Sequence, residues 1–454
     1  MISLDAYRQA FTHLPEGVRE AEVNVEIHNL LSLTVSDGVR EDVQVSESAE
    51  LFLRVSGEKT GYVYTQNLSD DPETLIRQAY ENSFCSDREA PEEMARKQVR
   101  NDFGVEEAEK DLKTVEAEAL KIAAWLEREL RIPDTKLTLD VDLQAETYGQ
   151  LALNSHGMES RSIRPLYMLY VFAGAEQAGN EAEAAVTLTS RTMDGFDLSA
   201  AAEDLRQRLQ MQLLPKGEFA SGEYPAILSR EFVYNLMATA WQSFSGVKYV
   251  QGATVFQGRL GEKIGPECLS ITDYRAVERS GYEMNCDAEG TPGVDVPILQ
   301  NGVLTGLMTN QTTAAQLSLR PTGNAGRRPL LTGNISTDLL VTPKNFCIEP
   351  GTASLSEMMA HMKEGILLTE HSDLYHSLDV ASGDFSIPCY GVRVEKGRPV
   401  GSLTGLTVSG NLGALFKGVQ EVECLRLIRP MDYTNNYGIG ACGLRVDRLS
   451  ISGE

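Results

Sequence analysis

The chain has 454 residues, of which 42% are hydrophobic and 23% charged, and its formal net charge at pH 7 is −24. This length is too great for one ordinary core and indicates two domains, and the composition is typical of a globular protein. A surface this acidic repels phosphate backbones, so the charge argues against direct nucleic-acid binding.

Cysteine usage and the start of the chain indicate the compartment. The seven cysteines are an odd, scattered set without a CxxC pair, which argues against a disulfide framework or a zinc ribbon. Residues 1–17 lack the cationic start and apolar stretch of a signal peptide. No apolar run reaches the roughly 20 residues that a bilayer requires. We therefore expect a soluble, cytoplasmic protein that does not contact a membrane.

The first half of the chain alternates predicted strands and helices. Apolar residues at period two predict strands, and their recurrence at helical spacing with capping residues predicts helices. In chain order, the pattern predicts a β meander over 23–67, a helix over 71–85, an exposed loop over 86–109, a helix over 111–131, strands at 136–147, 150–154 and 166–173, and a helix from about 197 to 215.

The second half is predicted to be mostly strands and turns. A polar, glycine-containing stretch at 216–223 marks the domain boundary. It precedes a short strand at 225–228 and predicted helices over 230–244, 354–364 and 412–419. The expected fold class is α+β with two domains. Residues 1–219 would form an N-terminal sheet with flanking helices, and 220–454 a largely β domain with few helices.

Few side chains form a recognisable catalytic pattern. The sequence has no HExxH motif, nucleophile elbow or phosphate-binding loop. His371, Asp373, His376 and Asp379 cluster locally and could bind a metal, although a polar surface loop explains the cluster as well. Asp287 and Glu289 lie in a turn bounded by Gly and Pro, which indicates turn hydrogen bonds and solvation.

Five turn-rich motifs follow one another in the second half. They are DAEGTP at 287–292, LQNGVL at 299–304, TGNAGRR at 322–328, SGDFS at 382–386 and SGN at 409–411, and the chain ends on LSISG at 449–453. This ordered set resembles the TldD/PmbA family, also labelled modulators of DNA gyrase. The first half fits that family more loosely.

The resemblance implies a two-domain α+β fold and a dimer that encloses a peptide-sized cavity. It also implies two kinds of member. TldD-type chains resemble zinc peptidases with a His-Glu-x-x-x-His helix and a cysteine ligand near the C-terminus, whereas PmbA/TldE-type chains lack the motif and pair with the TldD type. Counting back from Gly261-Glu262 aligns the motif with Met237, Ala238 and Gln242.

These three residues cannot supply zinc chemistry, because Zn²⁺ prefers imidazole, thiolate or carboxylate ligands and alanine cannot act as a general base. Cys442 aligns with the cysteine ligand, but a buried small residue explains it as well. We therefore expect no catalytic residue, no metal site and no cofactor in this chain, with zinc in a TldD-like partner.

The leading hypothesis is a PmbA/TldE-like subunit of a protease complex that acts on unfolded or extended peptides. Peptides could add as a strand along an exposed sheet edge. The residues expected to contact peptide are Asn324, Arg327, Arg328, Asp384 and Phe385. Arg327-Arg328 could bind a carboxylate bidentately or form an exposed basic pair. The expected partner is a TldD-like peptidase, and a homodimer is left open.

Two alternatives remain. The chain could be a metallopeptidase in its own right, with a divergent metal site built from His371, His376 and Cys442. The gyrase label suggests action on a DNA enzyme, for which the residues offer no support.

Overall fold

The computed structural model describes residues 3–85, 94–95, 100–277, 280–326, 339–371, 376–430 and 437–453. Within these ranges the protein is an α+β fold with a seven-stranded and a ten-stranded sheet, as the sequence predicts.

The N-terminal sheet contains the longest strands. Its strands are β1 (Glu20–Ser36), β2 (Val39–Ser56), β3 (Thr60–Thr65), β4 (Arg100–Val105), β5 (Lys136–Asn154), β6 (Glu159–Gln177) and β7 (Asn180–Ser190), and its helices are α1 (Asp5–Ala10), α2 (Pro72–Ser83), α3 (Leu112–Glu129) and α4 (Leu198–Gln212). The strand order is β3-β2-β1-β5-β6-β4, and β7 also pairs with β6. Two apolar clusters lie against this sheet, one under α3 and α4 and the other under α1 and α2.

Capping explains where the predicted helices begin. The Asp71 and Asp111 side chains accept backbone N–H bonds from the third residue of α2 and α3, which satisfies donors that the first helical turn leaves unpaired. Both predicted helices are confirmed with slightly shorter bounds.

The predicted break between residues 147 and 150 is wrong, because β5 runs without interruption to Asn154. Gly149 lies mid-strand, where an added Cβ would lie 3.0 Å from the Cβ of Ile27 on the neighbouring strand. The glycine allows close side-chain packing across the sheet rather than a reversal of the chain.

Among the residues that the structure describes, the C-terminal half contains β8 to β19 and five α-helices. The strands are β8 (Gly222–Leu228), β9 (Ile271–Asp273), β10 (Val296–Gln300), β11 (Val303–Leu304), β12 (Ala325–Gly326), β13 (Leu340–Val341), β14 (Asn345–Ile348), β15 (Gly365–His371), β16 (Asp384–Glu395), β17 (Arg398–Asn411), β18 (Val419–Pro430) and β19 (Gly438–Gly453). The helices are α5 (Arg230–Ala240), α6 (Gly246–Val250), α7 (Gln311–Leu317), α8 (Leu355–Met362) and α9 (Leu412–Gly418), and a 3₁₀ turn, Trp241–Phe244, follows α5.

Part of this sheet closes on itself. β19 pairs with both β17 and β8, and the path β17-β16-β15-β8 completes a five-stranded ring. Closure removes free sheet edges along this path. Helix α5 packs against β19 and β15, and its apolar residues join the largest core cluster of the protein.

The structure contains several elements that the sequence pattern does not predict. β4 lies inside the segment predicted to be an exposed loop, and β7, α1, α6 and α7 were not predicted. The short helices have too few residues to show helical periodicity, and β4 gains its order from parallel pairing with β6. None of the helices within the described ranges combines the length and apolarity needed to cross a membrane.

Candidate functional site

Helix α5 occupies the place where the resemblance puts a metal-binding helix. Ser229 caps it, since its hydroxyl accepts the N–H of Phe232 at 3.1 Å and donates to the Thr369 carbonyl at 2.7 Å. Met237 and Ala238 are buried in the core cluster. The cap orders the start of α5, and apolar packing surrounds Met237 and Ala238.

The donor groups around α5 do not fit a zinc ion. Gln242 lies in the 3₁₀ turn, and its Nε2 is 3.4 Å from the Thr239 carbonyl. The Cys442 thiol is fully buried on β19, 3.6 Å from the Ile348 carbonyl oxygen, and burial raises its pKa well above the ordinary value. A thioether and an amide are poor Zn²⁺ ligands, and the Cys442 thiol is a single donor that cannot hold the ion alone. Among the residues that the structure describes, no group of three or more His, Cys, Asp and Glu is arranged to hold a metal.

An ion network fixes the first turn of α5. Arg230 contacts Asp204 of α4 at 3.0 Å through Nη2 and Glu423 of β18 at 3.1 Å through Nη1. The other Glu423 oxygen accepts the Gly443 N–H at 3.0 Å. Because all three charged side chains are buried, the network ties α4 and β18 to the start of α5.

A cavity of about 80 Å³ lies between the N-terminal sheet and the C-terminal half. Tyr148, Gln150, Ser162 and Arg164 of β5 and β6 form one wall. The opposite wall consists of residues 283–286, Ala288, Ala325, Gly326, Thr342 and Tyr437. Gly149 of β5 and Glu26 of β1 complete the lining. The Tyr437 ring meets Trp241 edge-on, with 6.0 Å between the ring centroids, so this lining residue packs against the residue that follows α5.

A second buried cluster crosses between the halves. The Arg54 Nη2 atom lies 3.1 Å from Glu22 and 3.1 Å from Glu289, and all three side chains are fully buried. Asp287 accepts three backbone N–H bonds, from Glu289, Thr291 and Ala325. Turn hydrogen bonding by Asp287 is confirmed, but the expected solvation of Asp287 and Glu289 is wrong, because the N-terminal sheet covers them.

Burial is the main influence on the pKa of both carboxyl groups. It raises the pKa of Asp287, which the three N–H donors oppose, and it raises the pKa of Glu289, which the Arg54 guanidinium opposes. Both oxygens of Asp287 accept backbone donors, and this geometry favours its ionised form. Glu289 therefore binds a proton more readily than Asp287 does.

Asn324 lies in a buried network. Its Nδ2 donates to Asp273 and to the Thr342 carbonyl, both at 2.8 Å, and its Oδ1 accepts from Lys344 Nζ at 2.7 Å. Lys344 also pairs with Asp273 at 2.8 Å. Peptide contact by Asn324 stays a prediction, and the structure assigns its side chain a structural role.

Asp384 and Phe385 begin β16 and point to opposite faces. The Asp384 side chain is exposed and accepts the Asn411 Nδ2 at 2.8 Å. The Phe385 ring is buried against Gly410, where a Cβ would lie 2.7 Å from its Cζ. Of this pair, only Asp384 is accessible to a peptide, and no described hydrogen bond joins it to Asn324.

The remaining predicted site residues are placed only in part. The described part of the structure does not include Arg327, Arg328, Asp373 or the side chain of His371. His376 is exposed, whereas Cys442 is buried in the core. Asp379 accepts the N–H groups of Ala381 and Ser382 in a turn.

Sequence reasoning missed the cavity residues and the buried Arg54–Glu289 pair. The residues of each set come from distant parts of the chain, with 235 positions between Arg54 and Glu289. A fully buried arginine in a strand has no local signature, because an exposed arginine fits the same alternation. Only the packing of the two halves identifies these groups.

Comparison with known proteins gives the family. The family model described as the PmbA/TldA metallopeptidase C-terminal domain matches residues 221–453, and the model for domain 1 of the same metallopeptidases matches residues 21–83. A zinc metalloprotease TldD homolog from Saccharolobus solfataricus is 30% identical over 233 residues, which are 51% of this chain and 50% of that protein. The chain thus spans about half the length of this curated relative.

Further relatives extend the match. The metalloprotease PmbA from Escherichia coli O157:H7 is 23% identical over 312 residues, covering 67% of this chain and 64% of that protein. The crystal structure of TldE from Thermococcus kodakarensis superposes with a TM-score of 0.80 at 18% identity, covering 99% of this chain and 100% of that one. This structural likeness shows the fold, and the C-terminal match shows that the chain belongs to the PmbA/TldD family of metallopeptidases.

Proposed function

We propose that this chain is the PmbA/TldE-like subunit of a TldD/TldE-type metalloprotease complex that acts on unfolded or extended peptides in the cytoplasm. It would hold no catalytic residue and no zinc of its own, and its TldD-like partner would supply both. The chain would form part of the chamber that admits the peptide.

Helix α5 carries this proposal. At the positions where the resemblance requires two histidines and a glutamate, the chain has Met237, Ala238 and Gln242. Met237 is 1% exposed and Ala238 0% exposed, so core packing accounts for both residues. The buried Cys442 thiol is a single side chain and cannot by itself replace two histidines and a glutamate.

Peptide contacts are proposed at Asp384, which is exposed beside Asn411, and at Arg327 and Arg328. Asn324 and Phe385 would shape the neighbouring turns through their buried contacts. Recognition of extended peptides through backbone hydrogen bonds would tolerate many sequences.

Co-purification with a TldD-like chain tests the proposal. We expect a stable heteromer, stoichiometric zinc in the partner, and peptidase activity on an unfolded peptide only when both chains are present. The matched control replaces the glutamate of the partner's His-Glu-x-x-x-His with Gln, which should abolish activity and preserve the heteromer.

Zinc bound to the isolated chain would instead favour the alternative of an independent metallopeptidase. In that case His371→Ala or His376→Ala should remove the metal. Peptidase activity of this chain alone would overturn the proposed function, and a chain that forms only homodimers would overturn the partnership.

A further inference from the structure

Arg164 stands out among the residues of the interdomain cavity. It lies on β6 directly opposite Tyr148 of β5, with its guanidinium carbon 5.8 Å from the centroid of the Tyr148 ring. Its Nη1 donates to the Gly281 carbonyl at 2.8 Å. Within the described ranges, no carboxylate lies within ion-pair distance of Arg164. A guanidinium has five N–H donors, so most of its donor capacity is unused.

The neighbouring row of side chains is polar. Gln150 lies opposite Ser162 on the same two strands, and Glu26 of β1 lies opposite Gln150. Asn285 faces them from the C-terminal half, with its Nδ2 3.4 Å from the Ser162 oxygen. The Gln150 amide offers donors and an acceptor to a bound backbone, whereas the Asn285 oxygen already accepts from Arg275 at 3.2 Å, so Asn285 offers its Nδ2.

Two acidic side chains also line the cavity, and they limit what can bind. Glu283 is neutralised, because it pairs with Arg275 at 2.9 Å and with Arg191. Glu26 lines the cavity from β1, opposite Gln150. The combination suits one singly charged anion rather than a dianion.

The cavity volume limits the size of the ligand. At about 80 Å³ it is well below the roughly 300–1,000 Å³ of pockets for drug-sized molecules. A carboxylate and the residue that carries it match this volume. Arginine binds carboxylates bidentately, with charge-assisted hydrogen bonds that are about twice as strong as neutral ones.

We propose that Arg164 and the amides around it form a carboxylate site between the two halves, which takes the C-terminal carboxylate of a peptide. The inference rests on the proposed peptide-binding function and adds a preference for the peptide end. An acidic side chain within a peptide presents the same chemistry, so the test must separate these two sources.

The test measures binding of three dye-labelled hexapeptides to the full chain by fluorescence anisotropy. One has neutral residues and a free C-terminal carboxylate, the second is its C-terminal amide, and the third is an amide with one internal Glu. We expect the free acid to bind roughly tenfold more tightly than the neutral amide, because a hydrogen bond to a charged group is lost in the amide. The Glu amide should bind like the neutral amide.

Arg164→Gln should remove the preference for the free acid and leave binding of the amide unchanged. Arg164→Lys keeps the charge without the planar fork and should retain part of the preference. Arg128→Gln, at a 68% exposed side chain of α3, is the matched control and should behave like the parent. Thermal midpoints check that each variant is folded.

Equal binding of the free acid and the neutral amide would overturn the proposal, as would a free-acid preference that survives Arg164→Gln. Tight binding of the Glu amide would overturn the assignment to the chain end. Since the assay uses this chain alone, its outcome is independent of whether a zinc partner exists.

Discussion

Glu289 is a buried carboxyl group whose charge is only partly balanced. It shares the Arg54 guanidinium with Glu22 and lies two residues from Asp287. Burial raises the pKa of Glu289 to about 8. The folded state therefore binds a proton that the unfolded chain releases near pH 4. This contribution to stability is complete below that pH and is lost as the pH rises toward 8.

Glu289→Gln mimics the protonated form, so its stability should depend less on pH. It should cost about 1 kcal/mol at pH 5, because glutamine accepts one fewer hydrogen bond. Between pH 5 and 8 the wild type should lose about 1–3 kcal/mol more than the variant, at about 1.4 kcal/mol per unit of pKa shift. Urea midpoints at several pH values measure this difference. Glu41→Gln, at an exposed position of β2, is the control, and parallel pH curves for wild type and Glu289→Gln would contradict the argument.

At the scale of elements, local signals determine helix positions well and strand lengths less well. The capping aspartates at 71 and 111 mark their helices in the sequence and in the structure. The sequence predicts an interruption of β5 between residues 147 and 150, where the structure has a continuous strand and Gly149 packs against Ile27, more than a hundred positions away. The start of α5 was predicted, but the partners of Arg230 were not, because Asp204 and Glu423 come from two other elements.

A substitution of Arg230 tests whether these contacts with distant residues stabilise the first turn of α5. Arg230→Met leaves Glu423 buried without the cation that it pairs with among the described residues, whereas Asp204 keeps Arg208 at 3.4 Å and Arg429 at 3.8 Å. Removing one partner of a buried ion pair typically costs about 3–5 kcal/mol, so the urea midpoint should fall markedly. Arg206→Met, at an exposed i,i+3 pair with Glu203 on α4, should change stability by about 0.5 kcal/mol or less. Similar midpoints for the two variants would show that the network does not support α5.

For the whole molecule, the sequence predicts the fold class and the family motifs, and the packing of the two halves supplies the rest. Motifs in turns are recognisable because glycine and asparagine there serve local geometry. By contrast, the cavity around Arg164 and the cluster around Arg54 arise where β1, β2, β5 and β6 meet the C-terminal half. The candidate site was therefore predicted on the turns, and the structure adds a buried interdomain region.

This interdomain region should make the two halves unfold together. Arg54 pairs with Glu289, Asn24 Nδ2 lies 3.3 Å from the Ala288 carbonyl, and the Ser160 oxygen lies 2.8 Å from the Cys286 sulfur. Separating the halves would expose these groups, which are fully buried or nearly so. We therefore expect a single calorimetric transition for the wild type, with resistance to trypsin around Lys216.

Arg54→Met should uncouple the halves. It leaves the Glu22 carboxylate buried without a cation, at a cost of about 3–5 kcal/mol, whereas Glu289 holds a proton below pH 8. That cost is relieved when the halves separate and water reaches Glu22. We expect a second, lower calorimetric transition and faster cleavage near 216–223. Arg128→Met, on the exposed face of α3, should keep one transition. A single transition with a lower midpoint and no new cleavage would contradict this prediction. It would mean that the two halves do not separate before they unfold, and that apolar contacts between the halves make them unfold together.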